Sequence, residues 1–280
     1  MSSGVLRKNI SRSLVYLSLV LFVVFAIFPI FWLIVSSIKP MWELLDFPPT
    51  IIPRKPFFGF YKNVITMTPF LTMFANSVLV GVSAATIGVV SAVLASYSIA
   101  RGNFRGKKVI SRGILAAYMF PQIVMIIPLF VGLNKLGLTN TRIGLILTHV
   151  TFSFPFAMWL LIAYFKTISS EMEEAARIDG ASNFQTFFLI SMPLAVPGIA
   201  TATIFSFNMS WSEFFYSFII ISDDMRKTLP TGLYSFIGGE YVQWGELLAM
   251  GVMVAVPSLM VFLLLQKYIV GGLTAGAVKG

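Results

Sequence analysis

The chain has 280 residues, 57% of them hydrophobic and only 11% charged, against roughly 25% charged residues in a water-soluble domain. It contains no cysteine, which excludes disulfides, thiolate metal sites and cysteine nucleophiles. The net charge of +9 comes from lysine and arginine flanking apolar runs, so no nucleic-acid partner is needed to explain it.

Arg7, Lys8 and Arg12 precede an apolar run from Leu14 to Val35. That order resembles a secretory signal, but the run is too long for a signal core and no small-residue cleavage site follows. A retained first helix is therefore expected. Apolar segments at 14–37, 71–99, 109–133, 143–165, 198–221 and 247–269 are each long enough to cross a bilayer. They predict an all-α membrane protein, one domain over 1–280, with six transmembrane helices.

Six spans put both termini on one side. With the termini in the cytoplasm, twelve of the 20 basic residues lie inside, among them Arg101, Arg105, Lys107, Lys108, Arg112, Lys166 and Arg177. Basic residues accumulate on that face, so the reading is a multi-pass protein of a bacterial or archaeal inner membrane with cytoplasmic termini. The cluster from Arg101 to Arg112 reads as a topology determinant at the lipid surface.

Pro29, Pro121, Pro128, Pro155 and Pro257 each remove a backbone donor within a span and invite a kink. The external stretch from Lys39 to Phe70 carries six prolines among aromatic residues and should be ordered without being helical throughout.

Between spans four and five, Ser170 and Glu173 have capping-box spacing, and Gly180 can take the left-handed conformation that ends a helix. A second box, Ser182 with Gln185, opens another short helix bearing Phe184, Phe187 and Phe188, which Pro193 is expected to stop. Two short helices at a tight turn, with Ala175, Ala176 and Gly180 as small groups, form a projection that another protein can approach closely.

This stretch resembles the EAA loop of bacterial ATP-binding-cassette importer permeases. Glu174, Ala175 and Ala176 are followed after three residues by Gly180, and after nine more by Ile190, with Pro193 beyond. Asp179-Gly180-Ala181 matches a form frequent in carbohydrate importers, and the run Gly271 to Gly280 is similar to the end of MalG-like sugar permeases. Met192 departs from the family's leucine with little change in volume.

The resemblance implies a permease without its own ATPase site and with no cofactor of its own. Its partners would be a second homologous permease, an extracytoplasmic solute-binding protein and two cytoplasmic subunits that bind ATP and magnesium. Glu174, Ala175, Ala176, Asp179 and Gly180 would seat the loop on the ATPase, and the cargo would be a sugar of the maltose or trehalose type. A glycerol-phosphate or polyol cargo is the alternative within the scaffold, although no span carries the central arginine a phosphate would favour.

In the fifth span Ser206, Ser210, Glu213 and Ser217 follow helical spacing, and Asn208 and Trp211 lie on a neighbouring face. A membrane carboxylate must face a partner or a cavity, so this stripe is expected to line the substrate pathway or the subunit interface. Trp211-Ser212-Glu213-Phe214 also resembles a pattern of sugar permeases.

His149 reads as a satisfied interior histidine, because no ionisable residue lies a helical turn away. In the last external loop Phe236, Ile237, Gly238, Gly239 and Glu240 occupy the position of a segment that reaches the binding protein in maltose-type importers. An intramembrane enzyme would need a converging catalytic set and a metal-ligand cluster, which the chain lacks. A self-sufficient channel would leave the loop without purpose.

Overall fold

The computed structural model describes residues 2–237 and 241–277, with side chains over 12–237 and 241–267. In chain order its helices are α1 (Ser2–Ser37), α2 (Met41–Leu44), α3 (Gly59–Met67), α4 (Phe70–Arg101), α5 (Lys107–Met119) and α6 (Ile126–Lys135). Then follow α7 (Arg142–Thr167), α8 (Ser170–Ile178), α9 (Asn183–Thr186), α10 (Met192–Trp211), α11 (Phe215–Ile220), α12 (Leu229–Leu233) and α13 (Trp244–Ala277).

No strand occurs among the described residues. In lipid only a helix satisfies its own backbone, and this composition permits little else. Five helices there are long and apolar enough to cross a membrane. The bent pair α5 and α6, with a four-residue 3-10 turn from Gln122 to Met125 before α6, makes a sixth when taken as one span.

The chain divides into two compact units, 1–68 with 235–253 and 69–234 with 254–280. In the first, α1 is exposed from Tyr16 to Phe28, as befits a helix that meets lipid or another subunit. The stretch after it carries no long helix. Glu43 is buried and accepts hydrogen bonds from the Thr50 hydroxyl and the Arg54 amide, which hold its carboxyl below the ordinary value. Lys39 donates to the Thr50 carbonyl and lies over the Trp32 ring. The proline-rich segment is thus ordered by a buried polar knot, and α3 joins the start of α13 through Asn63 and Glu246 at 2.9 Å.

The second unit is a bundle of α4, α7 and α10 around Val89, Val93, Met158, Leu161, Phe165 and Ala202. The buried face of α4 presents Gly81, Ala84, Ala85, Gly88, Ala92 and Ser96 at helical spacing. Small residues let membrane helices approach closely where no hydrophobic effect drives them together. A Cβ on Gly88 would stand 2.8 Å from the Ser153 hydroxyl of α7. Further along the same seam, the Ser96 hydroxyl donates to the Met158 carbonyl.

The kink that Pro121 invites is present, and two other expectations need correction. The third span is bent by 101° at Phe120-Pro121, where proline withholds its amide. The fifth span breaks at Ser212-Glu213-Phe214, so 198–221 is α10 plus the short α11. Pro193 does not stop the helix of the cytoplasmic loop: a π-helical turn over Phe187–Ser191 leads into α10, and Met192 donates five residues back to Phe187. The wider turn shifts the ladder, so the proline sits in the first turn of α10 without the usual clash.

Candidate functional site

The loop between α7 and α10 is built as a projection. The Ser169 hydroxyl, rather than that of Ser170, caps α8 by accepting from the Glu171 amide. Glu173 does not reach back to form a box; its carboxylate turns inward. It receives Arg101 Nε at 2.8 Å and the Ser191 hydroxyl at 2.8 Å, with Arg177 at 3.5 Å. Arg101 also donates to the Ile168 carbonyl at 2.7 Å. A fully buried carboxylate is tolerable only with such company. This cluster ties the loop to the last residue of α4, and sequence reasoning missed it.

Gly180 has φ of +88°, and its amide and that of Ala181 bond back to Arg177 and Ala176 in a Schellman cap. The box of Ser182 and Gln185 forms in both directions, at 2.8 and 3.2 Å. On this frame Glu174, Ala175, Asp179 and Gly180 are exposed, and Ala176 is half-buried. Glu174 makes no ion pair or hydrogen bond with a described residue.

Ile178 and Phe184 are 85% and 71% exposed, an apolar rim on a short projecting segment. Of the three phenylalanines, Phe187 is buried against the Tyr97 ring, while Phe184 and Phe188 point outward.

The residues expected along the pathway fall into two groups. Ser210, Glu213 and Ser217 converge on His149. The His149 Nδ1 lies 2.6 Å from the Ser210 hydroxyl, and its Nε2 lies 3.4 Å from Glu213. Glu213, in the break after α10, accepts the Tyr216 amide at 2.8 Å and the Ser217 amide and hydroxyl at 3.0 and 3.1 Å. It therefore caps α11, and His149 has the ionisable partner that local spacing did not reveal.

Asn208 and Trp211 instead face α13, where Trp211 Nε1 donates to the Val254 carbonyl at 2.9 Å and Asn208 accepts from Ser258. Ser206 is fully buried, with no hydrogen-bond partner among the described residues.

A cavity of about 420 Å³ lies beside this network, lined by Tyr118, Phe120, Gln122, Thr151 and Phe152, among others. Tyr216 joins the two: its hydroxyl donates to the Gln122 carbonyl, and its ring lies 4.4 Å from that of Phe152. Sequence reasoning did not find this cavity, because its walls meet only through the bend at Pro121. Among the described residues no group of His, Asp and Glu is arranged to hold a metal ion. In the external loop Phe236 is buried and Ile237 is exposed; Gly238, Gly239 and Glu240 lie outside the described residues.

The pattern of the family described as the binding-protein-dependent transport system inner membrane component matches residues 84–274. The inner membrane ABC transporter permease protein YcjP of Escherichia coli is 33% identical over 276 residues, covering 98% of this chain and 99% of that protein. The trehalose/maltose transport system permease protein MalG of Thermococcus litoralis is 33% identical over 280 residues, covering 98% and 99%.

Among solved structures, a bacterial ABC transporter involved in the import of the acidic polysaccharide alginate shares the fold with a TM-score of 0.77. It is 24% identical and covers 96% of this chain and 98% of that one. With the exposed, doubly capped EAA loop and the bundle that carries it, these matches show that the chain belongs to the binding-protein-dependent transport family, as an inner-membrane permease of ATP-binding-cassette importers.

Proposed function

We propose that this chain is one of two permeases of a sugar importer of the maltose or trehalose type, powered by two cytoplasmic ATPases and fed by an extracytoplasmic binding protein. The observation that carries the reading is the loop. Its buried side is fixed to α4 through Glu173 and Arg101, while Glu174 and Ala175 stand exposed and unpaired beside Ile178 and Phe184. An exposed, unpaired carboxylate on the same projecting loop as exposed apolar side chains suits a protein interface, and ATP with its magnesium would sit on the partner. The trehalose and maltose named for the Thermococcus relative support a sugar as cargo.

In this reading Ser206, Asn208, Ser210, Trp211, Glu213 and Ser217 shape the pathway from behind, because most of their polar atoms are already engaged within the chain. Aromatic faces of Tyr118 and Phe152 and the amide of Gln122 suit the C–H faces and hydroxyls of a sugar ring. Phe236, Ile237, Gly238, Gly239 and Glu240 would meet the binding protein on the far side of the membrane.

The test is uptake of labelled trehalose or maltose into proteoliposomes containing this chain and its companion subunits. The reading requires uptake that depends on both ATP and the binding protein. Uptake that persists without ATP would reject it, as would selective uptake of a glycerol phosphate over either sugar.

A further inference from the structure

A second cavity, of about 330 Å³, opens where the end of α4, the first turns of α5 and the end of α7 meet. This is the end of the bundle that carries the EAA loop, since Arg101 closes α4 and binds Glu173. Ile99 and Ala100 line it with apolar surface, Lys107, Lys108 and Arg112 enter from α5, and Lys166 enters from α7.

Four basic side chains from two helices thus surround one cleft. Among the described residues none of them pairs with a carboxylate. Lys107 is spent on the Gly102 carbonyl at 2.9 Å, which leaves Lys108, Arg112 and Lys166 uncompensated.

The start of α5 makes the imbalance sharper. Gly106 provides no side-chain cap, the first turn holds no acidic residue, and two lysines occupy the end of the helix that already carries positive charge. A helix begun this way is disfavoured unless an anion comes from outside the chain. Val109 and Ile110, next to the lysines, are apolar and exposed, so the cleft adjoins surface suited to acyl chains.

We propose that this cleft is a binding site for an anionic phospholipid, with the headgroup phosphate held between α5 and α7 by Lys108, Arg112 and Lys166, and the acyl chains along the outer face of α5. A free phosphate would satisfy the charges but not the adjoining apolar surface. The site is separate from the sugar pathway and does not depend on which solute is carried. It would fasten the helix entering the Pro121 bend to the one that leads into the EAA loop.

The chain has no cysteine, so Gly113→Cys, at an exposed position one residue beyond Arg112, takes a single dye beside the cleft. Quenching of that dye by brominated phosphatidylglycerol is read on the full chain in detergent. Each basic group near an anionic headgroup contributes about a fivefold gain, so Lys108→Gln, Arg112→Gln and Lys166→Gln together should weaken binding about a hundredfold. Lys166→Gln alone should weaken it about fivefold, and Lys166→Arg should leave it near wild type.

All three variants should melt with the wild type when lipid is absent. Equal affinity in the triple and single neutralised variants would overturn the proposal, as would equal quenching by brominated phosphatidylcholine. Displacement of the lipid by millimolar inorganic phosphate would reassign the cleft to a free anion and overturn it as well.

Discussion

Glu213 illustrates what a carboxylate does at a break between two apolar helices. Its two oxygens take the Tyr216 and Ser217 amides and the Ser217 hydroxyl, and His149 stands 3.4 Å away. The residue thereby caps α11, holds the break in the fifth span, and through Tyr216 fixes the wall of the larger cavity at Phe152. Glu213→Gln keeps the volume but turns an NH2 group toward one of those amides. It should cost about 1–2 kcal/mol, seen as a lower melting temperature, with reduced uptake by a complex that still assembles. An unchanged melting temperature would show that the cap contributes nothing. The helical spacing of Ser206, Ser210, Glu213 and Ser217 was visible in the sequence, yet it is compatible with both a continuous stripe and a broken helix. His149 lies 61 positions from Ser210, and only tertiary structure brings them together.

At the scale of the element, the EAA loop was the most legible part of the chain. Turn and cap chemistry is local: Gly180, Ser182 and Gln185 form the turn and box that their types and spacing imply. What the sequence hid is how the loop is held. The run Glu171, Glu173 and Glu174 gives no local sign of which carboxylate turns inward, and the choice is made by Arg101, 72 residues away. Pro193 misled for a related reason, since the π-helical turn that accommodates it is a property of the packed helix. The positive φ of Gly180 separates two substitutions. Gly180→Ala should cost about 1–2 kcal/mol of local strain and leave most uptake. Gly180→Pro cannot adopt φ of +88° and loses the amide that bonds Arg177, so it should abolish uptake while the chain still inserts in the membrane. Near-normal uptake by the proline variant would show that the turn is dispensable for coupling.

For the whole molecule, hydropathy located five of the spans to within a few residues because the bilayer imposes a length that the sequence must meet, whereas the fifth, expected at 198–221, runs from Asn183 to Trp211. The abrupt bend of the third and the break in the fifth were not legible: a proline or a glutamate in an apolar run signals a disturbance but not its angle or its cause. Those two irregularities lie on either side of Tyr216, which bonds Gln122 at the bend and hangs from Glu213 at the break. The second unit thus has a bundle of α4, α7 and α10 that carries the loop, and an irregular side that lines the larger cavity. If the loop is the dock, ATP hydrolysis by a partner reaches that bundle only through the exposed face around Glu174. The most direct test is to reconstitute the importer with Glu174→Lys and measure, side by side, retention of the ATPase subunits and ATP hydrolysis stimulated by sugar-loaded binding protein. Coupling through this face requires a variant that inserts and pairs with its companion permease, binds the ATPase at least about tenfold more weakly, as befits a charge reversed at an interface core, and loses stimulated hydrolysis. Wild-type ATPase retention together with full stimulation would contradict it.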